Sequence, residues 1–338
     1  MLRTLFNKAA KPPYLPEKPL VLVSTLRDDS SRGDSHGYIG MGKIVAEKLG
    51  GVYQYLDEQV LRDRYSDTPD PEENLGLFLK DIGTPDIVFS RRYVSVLEKG
   101  DGTGKRPFVI NDINENLPPF FSPLRRLVAH HLTPSLLREE GKKFDAAYPD
   151  LPRPLVAVMM ADHTYHRLPE LLLSRLQTTE PSTVFVCSGR RTSTYHYEKI
   201  IEELNTAIEE KGATQTRVAG YDFEQGRANN AYNPYMGLLN RADHIVVCGD
   251  SMSIVSEALA TGKSVHLYEN HDGYASLERK GLVSVFNDAA RDAPLETRAI
   301  TPLNRTEHIA DKIISRYRRA QQRKLGFAGS IGAYLMDG

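Results

Sequence analysis

Short apolar runs rich in Val, Ile and Leu, each closed by Gly, Pro, Ser, Asn or Asp, alternate along this chain with longer stretches of helical period, and the alternation occurs twice. Strands buried on both faces read as continuous apolar runs, and parallel pairing needs a crossover helix between successive strands. The pattern predicts two α/β domains, each a Rossmann-like, doubly wound parallel sheet. In the first half, strands are expected at residues 20–24, 52–56, 87–90, 108–111 and 127–130, with helices near 39–49, 72–81 and 134–147. In the second, strands at 155–160, 183–188, 216–219, 244–248 and 265–268 alternate with helices around 168–176, 197–211, 235–241 and 254–261. Pro149, Pro152 and Pro154 crowd the stretch between the halves, where they disfavour helix and central strand alike, so the domain boundary is expected there. The expected division is 1–150, 151–303, and a C-terminal helix and tail at 304–338 that crosses the domain junction.

A chain of 338 residues that is 40% hydrophobic and 26% charged has the composition of a soluble two-domain protein. Its formal net charge of −1 supplies no global basic field, so no nucleic-acid partner is expected. Cys187 and Cys248 each lie inside a β-branched apolar run, which suits buried, reduced thiols. No apolar stretch approaches the ~20 residues a bilayer span needs. Residues 1–11 lack an apolar core long enough for a secretory signal, so a cytoplasmic location is expected.

Open α/β sheets bind ligands beyond the carboxyl ends of their strands, and two such domains in tandem are expected to face a central cleft. The strand at 244–248 ends at Gly249, where Asp250, Ser251 and Ser253 offer short polar side chains for the cap of the next helix. Free amides and partial positive charge at that helix start would seat a phosphate or diphosphate on Ser251, Met252 and Ser253. Glu257, within the helix's first turns, would accept hydrogen bonds from ribose hydroxyls of the same ligand. The plainer alternative is that Asp250 and Ser253 only cap the helix and Glu257 is solvated. A second constellation, Ser188, Gly189, Arg190, Arg191 and Thr192, follows another apolar strand. Paired arginines there would hold a diphosphate while Ser188 and Thr192 donate hydrogen bonds, unless the turn is a surface loop with incidental charge. Asn233, Pro234 and Tyr235 read as a helix start with proline at the first helical position.

In the first half the segment 25–43 reads as a glycine-bearing loop after the first strand. It is not a P-loop, because the spacing from Gly37 to Gly42 would require Ser or Thr where Ile44 stands. His36 or Asp34 is the candidate catalytic base, either being suited to take a proton from an acceptor hydroxyl. Arg91 or Arg92 would bind an anionic acceptor. Phe120, Phe121, Arg125 and Arg126 suit either docking on an anionic membrane surface or ordinary burial. No cluster with metal-ligand spacing is visible, so metal independence is expected.

Several of these stretches carry a resemblance. Ser188 to Thr192, Asn233 to Tyr235, the run from Gly249 through Ser251 and Ser253 to Glu257 and Ala258, the run from Ala260 to Val265, and His131 to Leu137 resemble, in order and spacing, the mitochondrial fission ELM1-like family, whose bacterial members are similar to GT-B glycosyltransferases. The resemblance spans about residues 132–269 and is faint before them. It implies a GT-B-like pair of domains, with the acceptor side in 1–150 and a nucleotide-diphosphate sugar, of UDP or GDP type, bound as donor substrate in 151–303, with no permanently bound cofactor. The function it implies is transfer of a sugar to an envelope lipid or glycan, with peripheral contact at the inner face of an anionic membrane. Plant members resembling this family are described as fission factors that recruit a dynamin-like protein, so a non-catalytic adaptor is the alternative, as is a non-hydrolysing sugar-nucleotide epimerase. One departure stands out: Met159 to His166 occupies the place of an expected glycine-rich turn.

Overall fold

The structure is a computed structural model that describes residues 18–25, 32–65, 70–90, 94–99, 102–103, 105–111, 127–163, 165–176, 180–268, 274–286, 293–303 and 305–336; at 25, 32–36, 57–60, 71 and 324–336 it describes the backbone only. The chain divides into two compact units, Met1–Leu117 with Thr306–Gly338, and Pro118–Arg305. In the first lie β1 (Leu20–Thr25), α1 (Arg32–Leu49), β2 (Val52–Asp57), α2 (Glu58–Arg64), α3 (Pro71–Ile82), β3 (Ile87–Phe89), α4 (Val94–Lys99) and β4 (Phe108–Ile110). The second holds α5 (Pro134–Ala147), β5 (Leu155–Met160), α6 (Leu168–Arg175), β6 (Ser182–Ser188), α7 (Thr194–Lys211), β7 (Thr216–Tyr221), α8 (Phe223–Ala228), α9 (Tyr235–Arg241), β8 (His244–Cys248), α10 (Met252–Ala260), β9 (Ser264–Tyr268), α11 (Ala275–Arg279) and β10 (Ser284–Phe286). From Thr306 onward α12 (Arg305–Met336) belongs to the first unit.

Both sheets are parallel among the described residues, ordered β2-β1-β3-β4 and β10-β9-β8-β5-β6-β7. The two sheets match the expected pair of α/β domains. Every residue of β5, β6 and β8 is buried, as a strand covered on both faces requires. Cys187 and Cys248 are buried in β6 and β8, which flank β5 on opposite sides, and neither is in a disulfide.

The units divide at Leu117 and Pro118 rather than beside the three prolines. The reason is α5: Leu137 and Phe144 join the apolar core of the second unit, together with Leu127 and Leu132 ahead of the helix. Residues 127–130, expected as a strand, are irregular; Leu127, Ala129 and His130 are buried, and the N–H of half-buried Val128 donates to the Ser256 hydroxyl at 2.9 Å instead of to a neighbouring strand. α12 anchors to the first unit through Ile309, Ala310, Ile313, Ile314 and Tyr317, all buried, with Tyr317 edge-on to Phe108 of β4 at 5.9 Å. Asp311 on the same helix pairs with Lys48 of α1 at 2.8 Å.

The segment read as a loop over 25–43 is helical from Arg32. Tyr38, Met41 and Val45 recur at helical spacing and are buried, and Gly42 lets α1 lie close on the sheet, because a Cβ there would run into Val23. Packing outweighs the low helix propensity of the glycines.

Candidate functional site

Counting from β5 as its first strand, the second sheet has the order 3-2-1-4-5-6, in which the chain leaves the first strand in one direction and returns beside it in the other. The crevice at such a reversal, beyond the carboxyl ends of the two central strands, is where doubly wound sheets receive ligands. Here those strands are β5 and β8. Three turns converge on it: Ala161 and Asp162 after β5, Gly189 to Ser193 after β6, and Gly249 to Ser251 after β8.

Arg191 clasps all three. Its Nε donates to the Ala161 carbonyl at 3.2 Å and a terminal nitrogen to the Asp250 carbonyl at 2.6 Å. Thr192 is fully buried, and its hydroxyl lies within donating distance of the Met160 carbonyl at 3.3 Å and the Asp162 carbonyl at 3.1 Å. Gly189 completes the approach, since a Cβ there would press on the Met160 carbonyl. Thr192 and Arg191 thus bond main-chain carbonyls and build the crevice. Ser188 faces the opposite neighbour: its hydroxyl accepts from the Phe223 N–H at 2.8 Å and donates to Asp222 at 3.4 Å. Asp222 in turn caps α8 and accepts the Thr194 hydroxyl at 2.6 Å. Arg190 stands half-buried in the same turn.

After β8, Gly249 turns the backbone at φ +85°, where only glycine is at ease, and the Asp162 carboxylate occupies the space a side chain would need. Asp162, from the turn after β5 where glycines were expected, thus takes the space that Gly249 leaves open. Asp250 is exposed and accepts the hydroxyl of buried Tyr274 at 2.9 Å. Ser251 is extended and is the N-cap of α10, its hydroxyl taking the Ile254 N–H at 3.4 Å. Met252 and Ser253 open the helix, half-buried, where first-turn amides have no helical acceptor. The cap assignment goes to Ser251.

Glu257 is 6% exposed rather than solvated. Burial pushes its carboxyl up to about 7, opposed by a hydrogen bond that the Tyr235 hydroxyl donates to Oε2. The Asn-Pro-Tyr stretch, read as a helix start, thus reaches α10. The composition of the motif was visible, but the partner of its hydroxyl lies 22 residues away. Beside the crevice, Ser193 and His196 share a hydrogen bond at 2.9 Å, and the His163 and His196 rings sit 5.3 Å apart.

The family model described as Mitochondrial fission ELM1 matches residues 125–317, more than half of the chain. The chain belongs to this family. A curated relative, Mitochondrial fission protein ELM1 of Arabidopsis thaliana, is 26% identical over 191 residues, covering 54% of this chain and 43% of the relative. This ELM1-family chain therefore matches less than half of that relative's length. It is also similar to solved glycosyltransferase structures. The ADP-heptose LPS heptosyltransferase II of E. coli is 11% identical, covering 88% of this chain and 99% of that one at a TM-score of 0.45. MurG of Acinetobacter baumannii is 12% identical, covering 91% and 99% at 0.42.

In the first unit of the ELM1-family chain, the sheet reverses between β1 and β3. His36 and Asp34 fall on the first turns of α1, which follows β1, and their side chains lie outside the described residues, as do Arg91, Arg92, Phe120, Phe121, Arg125 and Arg126. No group of three or more His, Cys, Asp or Glu able to hold a metal occurs among the described residues, and none of their helices is long and apolar enough to cross a membrane.

Proposed function

We propose that this ELM1-family chain moves a sugar from a nucleotide-diphosphate donor, of UDP or GDP type, to an envelope lipid or glycan acceptor. The observation that carries the reading is the convergence of three turns on the reversal point of the second sheet, one of them opening α10. The diphosphate would rest on the amides of Met252 and Ser253 with Arg190 alongside, and Glu257 would take ribose hydroxyls. Helix dipole and arginine would together stabilise the leaving diphosphate without a metal ion. His36 or Asp34 would receive the acceptor's proton. A lipid acceptor would place the protein peripherally on the inner face of the membrane.

Thermal denaturation with UDP, GDP and their sugars tests this. A donor at a hundred times its Kd stabilises by about 2.7 kcal/mol. Arg190→Ala should abolish that gain, and transfer should persist in chelator. If no nucleotide shifts the melting temperature, the donor reading falls.

The family's name describes mitochondrial fission and no sugar transfer, and on that ground a second reading is a non-catalytic adaptor. Stabilisation by a nucleotide sugar without consumption of the donor, across lipid and glycan acceptors, would support it. Isomerisation of the donor sugar without an acceptor would instead identify an epimerase.

A further inference from the structure

The Asn233, Pro234 and Tyr235 motif holds one hydroxyl in one place. The Asn233 Oδ1 accepts the Tyr235 N–H at 3.0 Å, and buried Pro234 takes the N-cap position, so the turn into α9 is fixed before the tyrosine side chain begins. The ring packs against the apolar core of the second unit, and its hydroxyl donates to Oε2 of Glu257. Glu257 lies in the second turn of α10, the helix whose start forms the anion site, and is 6% exposed.

A carboxyl so placed resists ionising, and a protonated carboxyl is a poorer acceptor for a diol. The Tyr235 bond counters that resistance, while burial raises the Tyr235 hydroxyl well above its ordinary value and so keeps it the donor. It engages Oε2 and leaves Oε1 for a ligand. We propose that Tyr235 is a positioning residue that holds the Glu257 carboxylate oriented and ionised to accept the ribose diol of a nucleoside diphosphate. The ligand half of this proposal rests on the donor-site reading above.

Two measurements separate the halves. In unliganded protein with labelled glutamate, the Glu257 carboxyl titrates by carbon NMR, and Tyr235→Phe should raise its midpoint; an unchanged midpoint overturns the proposal. By calorimetry, UDP and GDP are each compared with their 2′,3′-dideoxy forms, which lack the whole diol. The wild type should favour the ribose form about tenfold, the worth of one charge-assisted hydrogen bond. Tyr235→Phe and Glu257→Gln should both erase that preference while keeping the affinity for the dideoxy form. Equal losses for both forms in Tyr235→Phe would mean a packing role and overturn the proposal. Binding of neither nucleotide by the wild type, with the NMR shift present, would overturn the donor reading and the ligand half together, leaving only the coupling of Tyr235 to Glu257.

Discussion

At Gly249 the backbone needs φ +85°, and the Asp162 carboxylate already stands where a Cβ would go. Gly249→Ala therefore meets strain and a clash together, and should cost roughly 2–3 kcal/mol in urea denaturation. Asp162→Ala in the same chain removes the clash but not the strain, so the double variant should recover about half of the loss. A fully stable Gly249→Ala protein would contradict this geometry. The adjacent arginines show what can be read at this scale. Their place at a strand's carboxyl end is local information. That Arg191 bonds the carbonyls of Ala161 and Asp250 depends on where two other strands stop, 30 and 59 residues away. Propensity and spacing carry no record of that.

Glycines in three helices illustrate how glycine acts at the scale of elements. Where α5 crosses α9, a Cβ on Gly237 would lie 2.6 Å from both the Glu140 carbonyl and the Phe144 Cβ, and one on Gly141 would strike Asn240. Gly237→Ala should cost roughly 3 kcal/mol, as overpacking against atoms that cannot swing away does. Gly76, inside α3, has no neighbour within 4 Å of an added Cβ. Gly76→Ala should instead stabilise by about 0.5–1 kcal/mol, read in the same denaturation series. Sequence alone ranks both glycines as helix weakeners. Strands β1, β5 and β8 were legible nearly to the residue because unbroken apolar runs announce burial on both faces. The start of α1 was not, because Gly33, Gly37, Gly40 and Gly42 argue against helix until the sheet beneath them is known.

Across the whole molecule, buried ionisable groups set the pH response. Burial lowers His266 to about 3 and His130 to about 4, against an ordinary value of 6.5. Between those values and 6.5 the unfolded chain binds protons that the native one does not, so stability falls as the pH is lowered through this window. Glu257, raised from 4.5 to about 7, has the opposite effect: its contribution is whole below 4.5 and gone above 7. From pH 4.5 to 6.5 these three groups leave a net of one proton, a stability gain of ~1.4 kcal/mol per pH unit. Glu257→Gln should steepen that slope to ~2.7 kcal/mol per unit in guanidinium titrations at fixed pH, and a slope that does not change would place Glu257 in contact with water. By itself the sequence determined the two alternations of strand and helix, the parallel sheets they impose and the turns at the strands' carboxyl ends, because burial and capping are written in neighbouring residues. Tertiary structure alone decided that α5 joins the second unit, that α12 returns to the first, that Asp162 meets Gly249, and that Tyr235 holds Glu257. Each of those contacts joins residues far apart in the chain, and the close packing of the interior is what selects them.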